Sequence, residues 1–259
     1  MKKRKKYTKV TDPLSNMSDF WSGGEGINAK TNQLKEAIIG RRNFVKVDWL
    51  KKAIEACQKV AQVIKSNGEK ATAFRIDQNF ILTNHHVFES DEEINGARIE
   101  FDYADGSHTE TWRCVPGKAI IPIQIRKDLD FALVYIVPVD ATLVNQERGF
   151  LKLLPYVSPP KINEGVNIIQ HPRGRTMEIA FRDNQCKFVD DVKIQYLTDT
   201  EYGSSGSPVF NDRFEVVAIH SQWVEDPNYK KGLVKTPWYR NQGFRIDQII
   251  PHIQSYLSY

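Results

Sequence analysis

Glu201-Tyr202-Gly203-Ser204-Ser205-Gly206-Ser207-Pro208-Val209-Phe210 places a serine between glycines, adds a proline and runs into an apolar strand. The glycines let the backbone turn sharply and come close to another molecule. In such a turn the amides of Gly203 and Ser205 point at one spot, where an oxyanion would form. A solvated Gly/Ser surface loop has the same composition, so the choice depends on what the remaining chain supplies.

Upstream, Ile81-Leu82-Thr83-Asn84-His85-His86-Val87 is an apolar strand that delivers histidine to its end. A histidine there is suited to act as a base reaching into a cleft, although an isolated one is more often structural. Asp128-Leu129-Asp130-Phe131-Ala132-Leu133-Val134 sets Asp130 directly before an apolar strand. A carboxylate so placed is partly buried and needs a partner; its plainer reading is a strand-end turn cap. Together the three stretches offer His, Asp and Ser in that chain order. A serine hydroxyl is a weak nucleophile and needs a neutral imidazole to take its proton. A carboxylate then holds the other ring nitrogen protonated and stabilises the imidazolium.

With these motifs the chain resembles the trypsin-like (chymotrypsin-fold) serine peptidases, and specifically the bacterial branch similar to glutamyl endopeptidases. Ile168-Ile169-Gln170-His171-Pro172-Arg173-Gly174 also looks like the turn that opens the second barrel there. The resemblance covers about residues 70 to 252. It implies a mainly β fold of two six-stranded antiparallel β-barrels, one over about 70–150 and one over about 160–250. It further implies a serine endopeptidase acting on protein or peptide substrates; the sequence itself shows no metal site, phosphate loop or organic cofactor motif, so no cofactor is expected. The base is then His86, which precedes Val87, with His85 a neighbour. The acid is Asp130 rather than Asp128, the nucleophile is Ser205, and Gly203 and Ser205 supply the oxyanion hole. His171 matches a structural turn.

Two departures matter. Ala71-Thr72-Ala73-Phe74 stands where the branch usually has Gly-x-Gly-Phe. Ser204 stands where trypsin-type zymogens carry an aspartate that captures a freed N-terminus, so that mode of activation has no anchor. For substrate choice the resemblance marks Asp199, Thr200, His220, Ser221 and Gln222, and two readings stay open. Thr200 and His220 match residues that contact an acidic side chain in glutamyl endopeptidases, the reading slightly preferred. Asp199 matches the position where trypsin selects basic side chains. Ser221 to Trp223 could also offer backbone groups to an extended substrate. A peptide-binding module with little turnover is the alternative function, and the intact triad argues against it.

Composition narrows the setting. Hydrophobic content of 41% and charged content of 26% suit a soluble globular chain of 259 residues. Lys2, Lys3, Arg4, Lys5, Lys6 and Lys9 crowd the start; such a run reads as a solvated tail, with nucleic-acid contact the less expected use. No apolar segment follows it, so a secretory leader is not expected. No run is long enough for a membrane helix. Cys57, Cys114 and Cys186 are odd in number and widely spaced, which points to a reducing, cytoplasmic location.

In chain order, residues 1–28 read as a flexible basic tail and 29–69 as a helical extension packed on the peptidase domain of 70–259. Within the extension, Lys30 to Ile39 is a short helix. Leu50, Ala53, Ile54, Cys57, Ala61 and Ile64 repeat at helical spacing between Asp48, an N-cap, and Gly68, a C-cap. The whole helical segment, Asn28 to Gly68, is the expected dock for a regulatory partner. Short strands are expected at 71–76, 80–83, 97–103, 110–115, 119–125 and 131–136. A Pro-rich connector covers 138–165. Further strands follow at 166–170, 177–182, 193–197, 208–210, 216–221 and 243–246, with a long loop at 224–241 and a C-terminal helix at 246–253.

Overall fold

The computed structural model describes residues 44–104, 110–118, 129–225 and 239–259. The expected basic tail, the Lys30–Ile39 helix and the 119–125 strand lie outside the described residues. The chain opens on α1 (Val47–Cys57) and continues through β1 (Val60–Ile64), β2 (Lys70–Arg75) and β3 (Phe80–Thr83). Then come α2 (Asp91–Ile94), β4 (Arg98–Phe101), β5 (Glu110–Cys114) and β6 (Ala132–Pro138). These six strands close a barrel in the order β1-β2-β3-β6-β5-β4.

The long helix expected from Asp48 to Gly68 is corrected: it stops at Cys57, and Val60–Ile64 is the first barrel strand. β1 pairs with β2 through Val60↔Phe74 and with β4 through Ala61↔Phe101. Val60, Val63 and Ile64 are β-branched and favour the extended backbone. The buried face of α1 is also not the expected one. Ala53 and Ala56 are buried while Leu50 and Ile54 are exposed. Trp49 anchors the helix by packing on Phe181 and Phe214, with ring centroids 5.4 and 4.9 Å away.

Strand alternation explains why β3 and β6 read as nearly continuous apolar runs and why β2 buries apolar residues on both faces. Ala71, Ala73, Ile81, Ala132 and Val134 fill the barrel interior. Phe74, Leu82, Phe131 and Leu133 face the other way and join the core shared with the second sheet. Both faces of these strands are thus withdrawn from water, and their ends carry His86 and Asp130 to the boundary between the two sheets.

The second sheet comprises β7 (Asn167–Gln170), β8 (Glu178–Ala180), β9 (Cys186–Val189), β10 (Lys193–Tyr196), β11 (Pro208–Phe210), β12 (Val216–Glu225) and β13 (Tyr239–Arg245). Its order is β8-β7-β11-β12-β13-β10-β9. The expected second six-stranded closed barrel is therefore corrected to a seven-stranded sheet with no ladder joining β8 to β9. The two edge strands are neighbours in sequence, separated by 181–185, where Asp183 takes a positive φ of 47° and interrupts the extended run. Parts of the expected 224–241 loop also prove to be strand, since β12 reaches Glu225 and β13 starts at Tyr239.

α3 (Ile246–Ile253) buries Ile246, Ile249, Ile250 and Ile253, one apolar stripe at helical spacing. Beyond it, the Ser258 amide and hydroxyl donate to Asp77 Oδ2 at 2.6 and 2.7 Å, tying the C-terminal segment to the first barrel. The connector is held by Arg148, which is fully buried. Its guanidinium donates to both Asp102 oxygens at 3.0 and 2.6 Å and to Glu110 at 2.8 Å, the pairing a buried charge requires.

Candidate active site

Ser205 sits in a loop whose two glycines are sterically required. Gly203 has φ +91°, and a Cβ there would lie 2.8 Å from the His171 carbonyl oxygen. Gly206 has φ +86°, and its Cβ would lie 2.1 Å from the Thr72 oxygen. The loop thus presses against the 171–174 turn on one side and β2 on the other. Its amides divide into two sets. Ser204 N–H donates to Glu201 O at 3.0 Å, Gly206 N–H to His220 O at 3.0 Å and Ser207 N–H to Ser204 O at 3.1 Å. The Gly203 and Ser205 amides have no hydrogen-bond acceptor among the described residues.

His86 lies in a 3-10 turn, His85–Val87, directly after β3. Its Nδ1 is 2.9 Å from Asp130 Oδ2 and 3.1 Å from Oδ1, and its backbone N–H donates to Oδ1 at 3.1 Å. With Nδ1 facing a carboxylate, the ring keeps its proton there and its Nε2 lone pair is free to accept another. Asp130 adopts a positive φ of 41°, and its carbonyl accepts from Asn84 Nδ2 at 2.8 Å. Ser221 Oγ donates to Asp130 Oδ2 at 2.6 Å. Burial alone would raise the Asp130 carboxyl, but the His86 bond and charge and the Ser221 bond outweigh it and hold it below its usual range. His85 is half-buried and makes no contact with this carboxylate.

Ser205 Oγ donates to the carbonyl of Ser221 at 3.2 Å rather than to the imidazole. His86, Asp130, Ser205, His220 and Ser221 nevertheless line one cleft of about 1020 Å³. The five residues marked for substrate choice line it as well, but they do different things. Asp199 is exposed and Thr200 half-buried. Gln222 is exposed on β12. His220 is almost fully buried, with Nδ1 2.8 Å from Tyr196 Oη. Burial, followed by the charge of His86, presses its pKa down to about 3. The Ser221 side chain bonds to Asp130, and its carbonyl accepts from Ser205 Oγ.

His171 is a buried structural residue, as expected of its turn. Its Nδ1 is 3.1 Å from Arg175 O, and burial lowers its pKa to about 4. Sequence reading missed Thr72, whose side chain reaches from the first barrel into the nucleophile loop. The only signal was a polar β-branched residue between Ala71 and Ala73. Tyr196, the partner of His220, was missed as well. Among the described residues no group of three His, Cys, Asp or Glu side chains is placed to hold a metal ion. No described helix is long and apolar enough to cross a membrane.

Comparison with known proteins bears on the family and the fold. The trypsin-like peptidase domain family matches residues 71–219. A protein named uncharacterized protein y4fB, from Sinorhizobium fredii, is 27% identical over 263 residues, covering 86% of this chain and 40% of that protein. A glutamyl endopeptidase of Staphylococcus epidermidis is 26% identical over 168 residues, covering 58% of this chain and 53% of that protein. The chain thus spans about half the length, or less, of these curated relatives. A solved structure of Glu endopeptidase in complex with MPD superposes with a TM-score of 0.54 at 16% identity, covering 77% of this chain and 89% of that one. At that identity the likeness concerns the fold.

Proposed function

The chain belongs to the trypsin-like peptidase family, and we propose that it is a serine endopeptidase working through Ser205, His86 and Asp130. The observation that carries this reading is the meeting of the His86–Asp130 pair and Ser205 in one cleft, with the Gly203 and Ser205 amides left without an acceptor among the described residues. In this reading Ser205 Oγ turns from the Ser221 carbonyl toward His86 and attacks a peptide carbonyl carbon. Its proton passes to His86 Nε2 while the electron pair of the C=O moves onto oxygen. The Gly203 and Ser205 amides receive that oxyanion. Collapse of the tetrahedral adduct breaks the C–N bond, and His86 returns the proton to the departing amine. Water, deprotonated by the same imidazole, then hydrolyses the acyl-enzyme.

The substrate chain would lie along β12. Ladder pairing between β11 and β12 ends at Pro208↔Ile219, so from Ser221 outward that edge of β12 borders the cleft and can accept an extended peptide. The expected regulatory partner would meet α1, which leaves Val47, Leu50 and Ile54 exposed. A reducing, cytoplasmic location fits the three unpaired cysteines. Burial pushes their thiols up to about 11 for Cys57, 12 for Cys114 and 11 for Cys186, away from reactivity.

The second reading, a peptide-binding groove with little turnover, is favoured by one observation: the Ser205 hydroxyl is directed to Ser221 and not to His86. A serine-reactive fluorophosphonate separates the two. The full chain should be labelled, with Ser205→Ala and His86→Ala losing labelling by about a thousandfold or more. An unlabelled wild type, or one labelled no faster than Ser205→Ala, would leave the binding-groove reading in its place.

A further inference from the structure

We propose that Thr72 is a positioning residue for the oxyanion site, a role that rests on Ser205 being the nucleophile. Thr72 is fully buried in β2 of the first barrel, yet its bonds govern the loop of the second sheet. Its N–H donates to Ser205 O at 2.9 Å. Its hydroxyl donates to Gly203 O at 2.8 Å and accepts from His171 N–H at 3.0 Å. Its own carbonyl is held by Thr83 Oγ1 at 2.9 Å.

The peptide planes show what these bonds fix. The Ser205 N–H belongs to the 204–205 peptide. Thr72 holds the carbonyls of the two flanking peptides, 203–204 and 205–206, so the peptide between them has little freedom to turn. The Gly203 N–H belongs to the 202–203 peptide, whose carbonyl accepts from Arg173 N–H at 2.5 Å. Arg173 is in the turn that begins at His171, and the His171 N–H is bonded to the Thr72 hydroxyl. One residue thus orients one donor by holding its neighbouring peptides, 203–204 through the Thr72 hydroxyl and 205–206 through the Thr72 backbone N–H. The same hydroxyl reaches the other donor through the 171–173 turn. A planar peptide transmits such orientation because its N–H and C=O cannot rotate independently. The loop has no buried carboxylate to do this work; the Ser204 hydroxyl accepts only the local Glu201 N–H, at 3.1 Å.

Thr72→Val keeps the shape and removes the hydroxyl, and Thr72→Ser keeps the hydroxyl. The measurement is the second-order rate of fluorophosphonate labelling of the full chain from pH 5 to 9, with melting temperature recorded beside it. Thr72→Val should label about 10 to 100 times more slowly, since loss of one oxyanion donor costs about 100 to 1000-fold and misdirection should cost less. Thr72→Ser should stay within about threefold of wild type. The midpoint of the pH profile should not move in either, because the His86–Asp130 pair is untouched, whereas a generally loosened fold would disturb it. Thr72→Val labelling at the wild-type rate, Thr72→Ser falling as far as Thr72→Val, or a shifted midpoint would each overturn the proposal. Should Thr72→Val not fold, the same comparison is made between Thr72→Ala and Thr72→Ser. An unlabelled wild type would instead overturn the Ser205 reading itself.

Discussion

Ser221 donates its hydroxyl to Asp130 Oδ2 at 2.6 Å while its carbonyl accepts from Ser205 Oγ at 3.2 Å. One residue of β12 therefore touches both Asp130 and Ser205. Asp130 still keeps its bonds to the His86 ring and amide when that hydroxyl is lost, so the damage should be limited. Ser221→Ala should slow fluorophosphonate labelling by about 3 to 10-fold. Asp130→Asn, which loses the correct imidazole tautomer, should slow it by about a thousandfold or more. Equal losses in the two variants would refute this division of labour.

Two buried histidines make the fold acid-sensitive. The pKa of His171 is lowered to about 4 and that of His220 to about 3, from an ordinary 6.5, chiefly by burial. Below pH 6.5 the unfolded chain takes up protons that the folded chain refuses, so stability falls as pH drops toward 4 and 3. Each group then removes about 2 kcal/mol by pH 5. Asp130, held below its usual range, adds to the loss only under more acid conditions. Melting temperature should fall by at least about 5 °C between pH 7 and pH 5, and His171→Asn should fall less. A flat profile in the wild type would show that neither imidazole is held neutral.

The site was legible where chemistry sits in local sequence. Gly203 and Gly206 stand on either side of Ser204-Ser205 because a Cβ would collide at either position, and Asp130 precedes an apolar strand. β1 was not legible: Ala61 and Ile64 fit a helical stripe as well as a strand, and only pairing with Phe74 and Phe101 decides. Thr72 was hidden for a different reason. Its partners, His171, Gly203 and Ser205, are about a hundred residues or more away in sequence, and no local pattern marks a contact between two sheets. β9 (Cys186–Val189) falls where no strand was expected, and the positive φ at Asp183 that separates it from β8 is a single-residue backbone event, beyond the reach of hydrophobic periodicity.

The buried His220 and the exposed Asp199 lead to an expectation for substrate choice. Its ring is bonded to Tyr196 Oη and stays uncharged above about pH 4, so it offers an acidic side chain no countercharge. Asp199 is exposed on the same cleft and makes no ion pair among the described residues. Arg240 also lines the cleft but lies farther out, opposite Val224. A peptide library should therefore be cleaved faster after arginine or lysine than after glutamate. Asp199→Asn should cut kcat/KM for the basic peptides by about tenfold or more, by removing the attractive charge. Faster cleavage after glutamate, unaffected by Asp199→Asn, would return the choice to Thr200 and His220.

The requirement for a new N-terminus can be tested on the chain itself, once the trimming point respects β1. Ser204 is buried, and its hydroxyl accepts Glu201 N–H within the loop. It carries no charge that could capture a freed amine, and the Gly203 and Ser205 amides are already unoccupied without one. Val45–Tyr259 forms one compact unit. A form spanning residues 45–259 and the full chain should accordingly label at rates within about threefold of each other. A form starting at Ala71 lacks Val60–Ile64, which bridges β2 and β4 in the closed barrel. Removing it exposes Val60, Ala61 and Val63 contacts in both core clusters and two strand edges, so this form should neither melt cooperatively nor label. If the full chain stays inert and only a trimmed form labels, the loop is not preset, and activation by cleavage takes the place of this account.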